Sequence, residues 1–152
     1  MERTFKIIYT SDTHGHIFPV NYAAGCGESS GLLNLAAQID KNGNTLVLDG
    51  GDSLQGTPLV QYYLAHADEF PHHPVAEAFN AMGCDYFTLG NHDFNFGYDA
   101  LRAYLCAMDG VCLCANVQDL GGALPLLPET VHTLKNGLRI GITGIVTDYV
   151  NV

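Results

Sequence analysis

Three short blocks carry residues whose types and spacing fit a divalent-metal site. Asp12 and His14 stand two apart after an apolar run. Asp52 follows two glycines, with Gly56 four residues on. Asn91 and His92 sit within Gly90-Asn91-His92-Asp93. In an extended chain Asp12 and His14 point to the same side, so one carboxylate and one imidazole can grip one ion. The glycines ahead of Asp52 allow a tight turn and a close backbone approach. A carboxylate has two oxygens and can bridge two cations, and the Asn91 amide oxygen holds a cation without adding charge. A mixed oxygen and nitrogen set suits Mn, Fe, Zn or Co better than Ca, which prefers oxygen alone. Two ions roughly 3.5–4 Å apart clamp phosphoryl oxygens and acidify a water between them, which is the chemistry of phosphoester hydrolysis.

The blocks must be positioned by the elements that precede them. Phe5–Thr10 reads as a strand, Leu32–Ile39 as a helix stopped by Gly43, and Thr45–Leu48 as a short apolar strand running into Asp49. Pro58 opens a helix to about Ala67, and Val75–Met82 is a helix closed by Gly83. Tyr86–Leu89 is a strand, Tyr98–Met108 a helix, and Val111–Ala115 a strand. Gly121, Gly122, Pro125 and Pro128 mark a loop, and Asn136-Gly137 between two apolar runs signals a hairpin. The fold class is therefore α/β: a mostly parallel β-sheet flanked by helices, with an antiparallel hairpin near the C-terminus. In such sheets ligands gather at the carboxyl ends of strands, so the three blocks should meet in one crevice.

The 152 residues fit one domain or part of a larger one, and 47% apolar against 14% charged residues excludes a disordered chain. A net charge of -10 argues against binding to a nucleic acid polymer or an anionic membrane surface. It does not exclude a phosphate substrate, because bound cations dominate the field of a carboxylate cluster. No apolar run reaches the ~20 residues of a membrane span. There is no signal peptide ahead of Phe5, so the protein is either cytoplasmic or exported with its signal removed. The five cysteines form no C-x-x-C pair and read as reduced, small core residues.

Asp12-x-His14, Gly51-Asp52-x-x-x-Gly56 and Gly90-Asn91-His92-Asp93 together resemble the calcineurin-like metallophosphoesterases. The strings Asp49–Pro58 and Thr88–Asn95 resemble the branch of 5'-nucleotidases and 2',3'-cyclic-nucleotide 2'-phosphodiesterases. The resemblance runs from about Lys6 to Thr147. It implies an αββα sandwich and two divalent ions, drawn from Mn, Zn, Fe, Co or Mg. Asp12 and His14 would bind the first ion, Asp52 would bridge both, and Asn91 would bind the second. His92 would stabilise charge at the scissile phosphate or protonate the leaving oxygen. The implied partner is a small phosphoester, a nucleotide.

Asn95 stands where many 5'-nucleotidases carry an aspartate that orients the catalytic histidine. An asparagine can hydrogen-bond an imidazole but cannot stabilise its cation as a carboxylate does, and the resemblance at this position is to the cyclic-phosphodiesterase side. The family's later histidine ligands have no counterpart after Asp93, where His132 stands alone. Residues 1–152 are therefore expected to be the N-terminal, truncated portion of a catalytic domain. They would lack the nucleotide-binding C-terminal part of the parent chain and have weak or no turnover alone. The rival readings are a phosphohydrolase for a non-nucleotide ester and a catalytically incomplete metal-binding fragment. His16, His66, His72, His73 and His132 read as loop, surface or strand positions. Asp49 reads as structural or as support for Asp52, and Gln55 and Thr57 stay undecided.

Overall fold

A computed structural model describes residues 2–150. Its framework is a five-stranded, all-parallel sheet in the order β1 (Lys6–Thr10), β4 (Thr45–Asp49), β5 (Tyr86–Phe87), β6 (Val111–Leu113) and β7 (Leu126–Leu127). Two small antiparallel pairs accompany it: β2 (Val20–Asn21) with β3 (Cys26–Gly27), and β8 (Glu129–Thr133) with β9 (Arg139–Thr143). The expected α/β class, parallel sheet and late hairpin are all present. Of the implied sandwich, the described residues build this one sheet with its helices and the separate β8–β9 hairpin.

Thr45, Leu46 and Val47 of β4 are all buried, as expected of a strand inside a parallel sheet. Helix α3 (Pro74–Met82) buries Val75, Ala76, Ala78, Phe79 and Met82 and packs against α1 (Leu32–Ala36), α2 (Pro58–Ala65) and α4 (Tyr98–Ala107). Its bounds follow from local chemistry. Pro74 sits in the first turn, where no amide donor is needed, and Gly83 ends it in the left-handed region at φ 68°. Helix α1 ends earlier than its apolar spacing predicts. From Gln38 the amides bond three residues back, which tightens the last turn.

The opposite face of β1 is open: Ile7 and Tyr9 are 48% and 63% exposed. The hairpin is anchored to the strand starts. Asn136 Nδ2 donates to the Thr4 carbonyl (2.9 Å), and the Asn136 amide donates to Asn44 Oδ1 (2.9 Å). The Tyr86 hydroxyl lies 3.0 Å from His132 Nδ1, which gives that isolated histidine a structural contact. No helix among the described residues is long and apolar enough to cross a membrane.

Two sequence expectations are corrected. The segment holding Pro125 and Pro128 is not all loop, because Leu126–Leu127 joins the sheet parallel to β6. Flanking prolines hide a two-residue edge strand, since they cannot extend its ladder. His73 is not a surface residue. It is 3% exposed, caps α3 through Nδ1 to the Ala76 amide (3.4 Å), and packs between Tyr63 and Tyr104 at ring separations of 4.7 and 5.2 Å.

Burial lowers the His73 pKa from 6.5 to about 4. Between those values the unfolded chain holds the extra proton and the folded chain does not. The contribution is thus complete above pH 6.5 and lost as pH falls to 4, by about 3 kcal/mol in all. His73→Asn keeps a capping acceptor and removes the titration. Urea denaturation should then show a flatter stability profile between pH 6.5 and 4 than the parent chain.

Candidate metal centre

β1, β4 and β5 are neighbours and run the same way, so their carboxyl ends lie side by side at strand spacings of about 4.8 Å. The three polar blocks leave from those ends. The loops after β1 and β4 stay laced together: the Asp12 amide donates to the Gly51 carbonyl and the His14 amide to the Asp52 carbonyl, both at 2.9 Å. Asp12, His14 and Asp52 meet there, each offering one ligand atom, with all three atoms within 4.8 Å of one another. Asp12 is exposed, while His14 and Asp52 are half-buried.

Local backbone geometry differs from the expected extended alternation. Asp12, His14 and Asp52 have φ of 52°, 47° and 58°, and no other non-glycine residue among those described is left-handed. Each such residue costs of order 1–3 kcal/mol and persists only where its surroundings over-determine it. The two side chains converge because both residues turn, and the extended path assumed for Asp12-Thr13-His14 is absent.

The glycines explain how the second and third blocks approach. A Cβ on Gly51, which has φ 91°, would lie 2.2 Å from the Gly90 nitrogen. A Cβ on Gly90 would lie 2.1 Å from Asp52 Oδ1. The His92 amide donates to that same oxygen at 2.8 Å. Asn91 is therefore flanked on both sides by backbone packed on the Asp52 carboxylate. Its own side chain is half-buried.

Asp93, given no role from sequence, holds this junction. It is 1% exposed. Its Oδ1 accepts the Ser53 and Leu54 amides at 2.8 and 2.9 Å, and its Oδ2 accepts the Asp52 and Gly90 amides, both at 2.9 Å. Burial holds this carboxyl's pKa above its ordinary value, with the four main-chain donors opposing that rise. Asp49 lies beneath. It accepts the Thr10 hydroxyl (2.6 Å), the Gly51 amide (2.9 Å) and the Ser53 hydroxyl (3.2 Å), and burial raises it to about 6. Of the two readings left open for Asp49, these contacts support the loop that carries Asp52. The signal available in sequence was an acidic residue inside each motif, but nothing in spacing says which carboxylate turns inward.

The histidines are also oriented. His14 Nδ1 lies 2.7 Å from the Gln55 carbonyl. A carbonyl only accepts, so Nδ1 carries the proton and Nε2 keeps a free lone pair for a cation. The His92 ring stands edge-on to His14 at 5.5 Å, and His92 Nδ1 lies 3.1 Å from Asn95 Nδ2. Thr57 caps α2 and donates to the Gly15 carbonyl (3.0 Å), so it is structural. His16 is exposed and, with Asp12, Thr13, Ser30 and Asn34, lines a cleft of about 370 Å³ beside the cluster. His66 and His72 lie away from the cluster, on α2's end and the loop before α3. The donor set fits a borderline divalent ion: two carboxylates, one imidazole with its lone pair free, and three strained residues converging on one point.

The calcineurin-like phosphoesterase family profile matches residues 5–148. The trifunctional nucleotide phosphoesterase protein YfkN of Bacillus subtilis is 32% identical over 93% of this chain and 11% of its own length. A 2',3'-cyclic-nucleotide 2'-phosphodiesterase/3'-nucleotidase of Salmonella typhimurium is 31% identical over 93% of this chain and 24% of its own. The crystal structure of calcineurin-like phosphoesterase YfkN from Bacillus subtilis superposes with a TM-score of 0.77 at 32% identity, covering 92% of this chain and 47% of that one. The chain thus spans between a tenth and a quarter of the length of these curated relatives.

Replacing Asp93 with Asn turns an acceptor into a donor that faces main-chain N–H groups. Asp93→Asn should cost about 2–4 kcal/mol of stability in denaturant unfolding. The Ser53 and Leu54 amides should exchange with solvent faster than the β4 amides. A variant within about 1 kcal/mol of the parent would contradict the clamp.

Proposed function

The chain belongs to the calcineurin-like phosphoesterase family, and on that premise we propose that it supplies metal ligands and a proton-handling histidine for hydrolysing a nucleotide phosphoester. The observation behind this reading is the convergence of Asp12, His14 and Asp52 within 4.8 Å, each held in a left-handed backbone. Asp12 and His14 Nε2 would hold a first divalent ion, Asp52 would stand between two, and the Asn91 amide oxygen would face the second. Further donors from another segment would complete that second position. Such ions supply positive charge to phosphoryl oxygens and acidify water.

The remaining steps fall to the chain's own groups. With its Nδ1 accepting from Asn95, His92 carries its proton on Nε2. That N–H is free to donate to a phosphoryl oxygen as charge develops, or to the leaving oxygen as the ester bond breaks. Water adds to phosphorus, the ester oxygen leaves with a proton, and no covalent link to the enzyme forms. Beyond the Asp12 carboxylate, the cleft presents the hydroxyls and amides of Thr13, Ser29, Ser30, Asn34 and Gln38, which suit the hydroxyls of a nucleotide's sugar. Asparagine at position 95 favours 2',3'-cyclic nucleotides over 5'-monophosphates.

Calorimetric titration with manganese tests the ligand set without turnover. The 152-residue chain should take up one tightly held ion, and Asp52→Asn should weaken it by at least about 100-fold. Unchanged affinity in that variant would remove the metal assignment. Turnover is read from the complete gene product with manganese. Phosphoester cleavage is expected with 2',3'-cyclic nucleotides and nucleoside 5'-monophosphates, and release from neither class would remove the nucleotide substrate.

A further inference from the structure

Gln55 touches both site histidines by different routes. Its main-chain carbonyl accepts from His14 Nδ1 at 2.7 Å. Its side-chain Oε1 accepts from Asn95 Nδ2, and the same Asn95 nitrogen lies 3.1 Å from His92 Nδ1. The Asn95 amide has two N–H groups, so one can serve Gln55 and the other His92. We propose that the Gln55 side chain is a positioning group that sets the tautomer of His92 through Asn95, while the main-chain carbonyl of the same residue holds His14.

The logic is one of donors meeting acceptors. While Gln55 presents an oxygen, Asn95 must turn its nitrogen toward it. That nitrogen then donates to His92 Nδ1, which leaves the His92 proton on Nε2. If the group at position 55 were a donor, Asn95 would turn its oxygen to it. The same oxygen would then face His92 and require a proton on Nδ1. Gln55, Asn95 and His92 therefore switch together, and the face that residue 55 presents, an oxygen in this structure, sets the direction. His14 stays outside the switch because its partner is main chain. Gln55 is half-buried between the two rings' loops, and it lies inside the Gly51–Gly56 block, three residues after Asp52. The inference depends on the phosphoesterase reading only for the use made of His92, since the tautomers exist without substrate or ion.

The test is nitrogen-15 NMR of the imidazoles in the metal-free chain at about pH 8.5, well above the ordinary histidine pKa. In the parent chain His92 should be protonated on Nε2 and His14 on Nδ1. Gln55→Glu keeps an acceptor and should leave both unchanged. Gln55→Lys offers only donors and should move the His92 proton to Nδ1 while His14 keeps its pattern. Asn95→Asp is the second variant: a carboxylate at 95 accepts from both sides, so His92 should again be protonated on Nδ1. The proposal is overturned if His92 in the parent chain is protonated on Nδ1, or if it keeps Nε2–H in either Gln55→Lys or Asn95→Asp. It is also overturned if His14 and His92 change together in Gln55→Lys, since Gln55 would then only be holding the loop. Because no turnover is measured, a failed nucleotide assay leaves this result standing.

Discussion

The Asp93 carboxylate accepts four main-chain N–H groups, three from residues 52–54 and one from Gly90. These donors belong to two loops that arrive from neighbouring strands with more than thirty residues between them. Without a common acceptor, each buried amide would lack a partner at a cost of about 1–3 kcal/mol. With it, the two loops become one rigid unit. The four hydrogen bonds reduce, without cancelling, the cost of burying the charge.

That unit is what allows three residues to stay in a left-handed conformation. Asp12, His14 and Asp52 each carry a Cβ that crowds the following carbonyl oxygen in this conformation. They are held by neighbours. The Asp12 and His14 amides bond across to the β4 loop, and the Asp52 amide bonds to Asp93. The close contact of Gly51 with Gly90 leaves the chain no other path. The strain thus sits where the ligand atoms converge, and the tension between nearby carboxylates is the state that a bound cation relieves.

A second layer of order lies in the neutral groups. Gln55 and Asn95 bear no charge, and they engage Nδ1 of the two imidazoles, Gln55 through its main-chain carbonyl and Asn95 through its side-chain amide. A carboxylate at 95 could only accept from the imidazole, whereas the amide nitrogen donates to His92 Nδ1. Buried Asp93 fixes the loops, while the contact to the His92 ring comes from a different side chain, Asn95.

Much of this was legible in the residues. Helix α3 announces itself through its apolar spacing and Gly83, because propensity and capping act over a few residues. The parallel sheet and the meeting of Asp12, His14 and Asp52 as candidate ligands were likewise readable, since alternating strand and helix patterns bring successive strand ends to one edge. The inward turn of Asp93, the burial of His73, the strand at Leu126–Leu127 and the part played by Gln55 were not readable. Each depends on which donor, ring or strand edge lies across from it, and partners distant along the chain are supplied only when the sheet assembles. The amino-acid order determined which groups could bind and where each element would begin. The assembled sheet decided which of four neighbouring carboxylates would face a cation and which would hold the loops, because burial and main-chain donors belong to a place in the fold and not to a residue type.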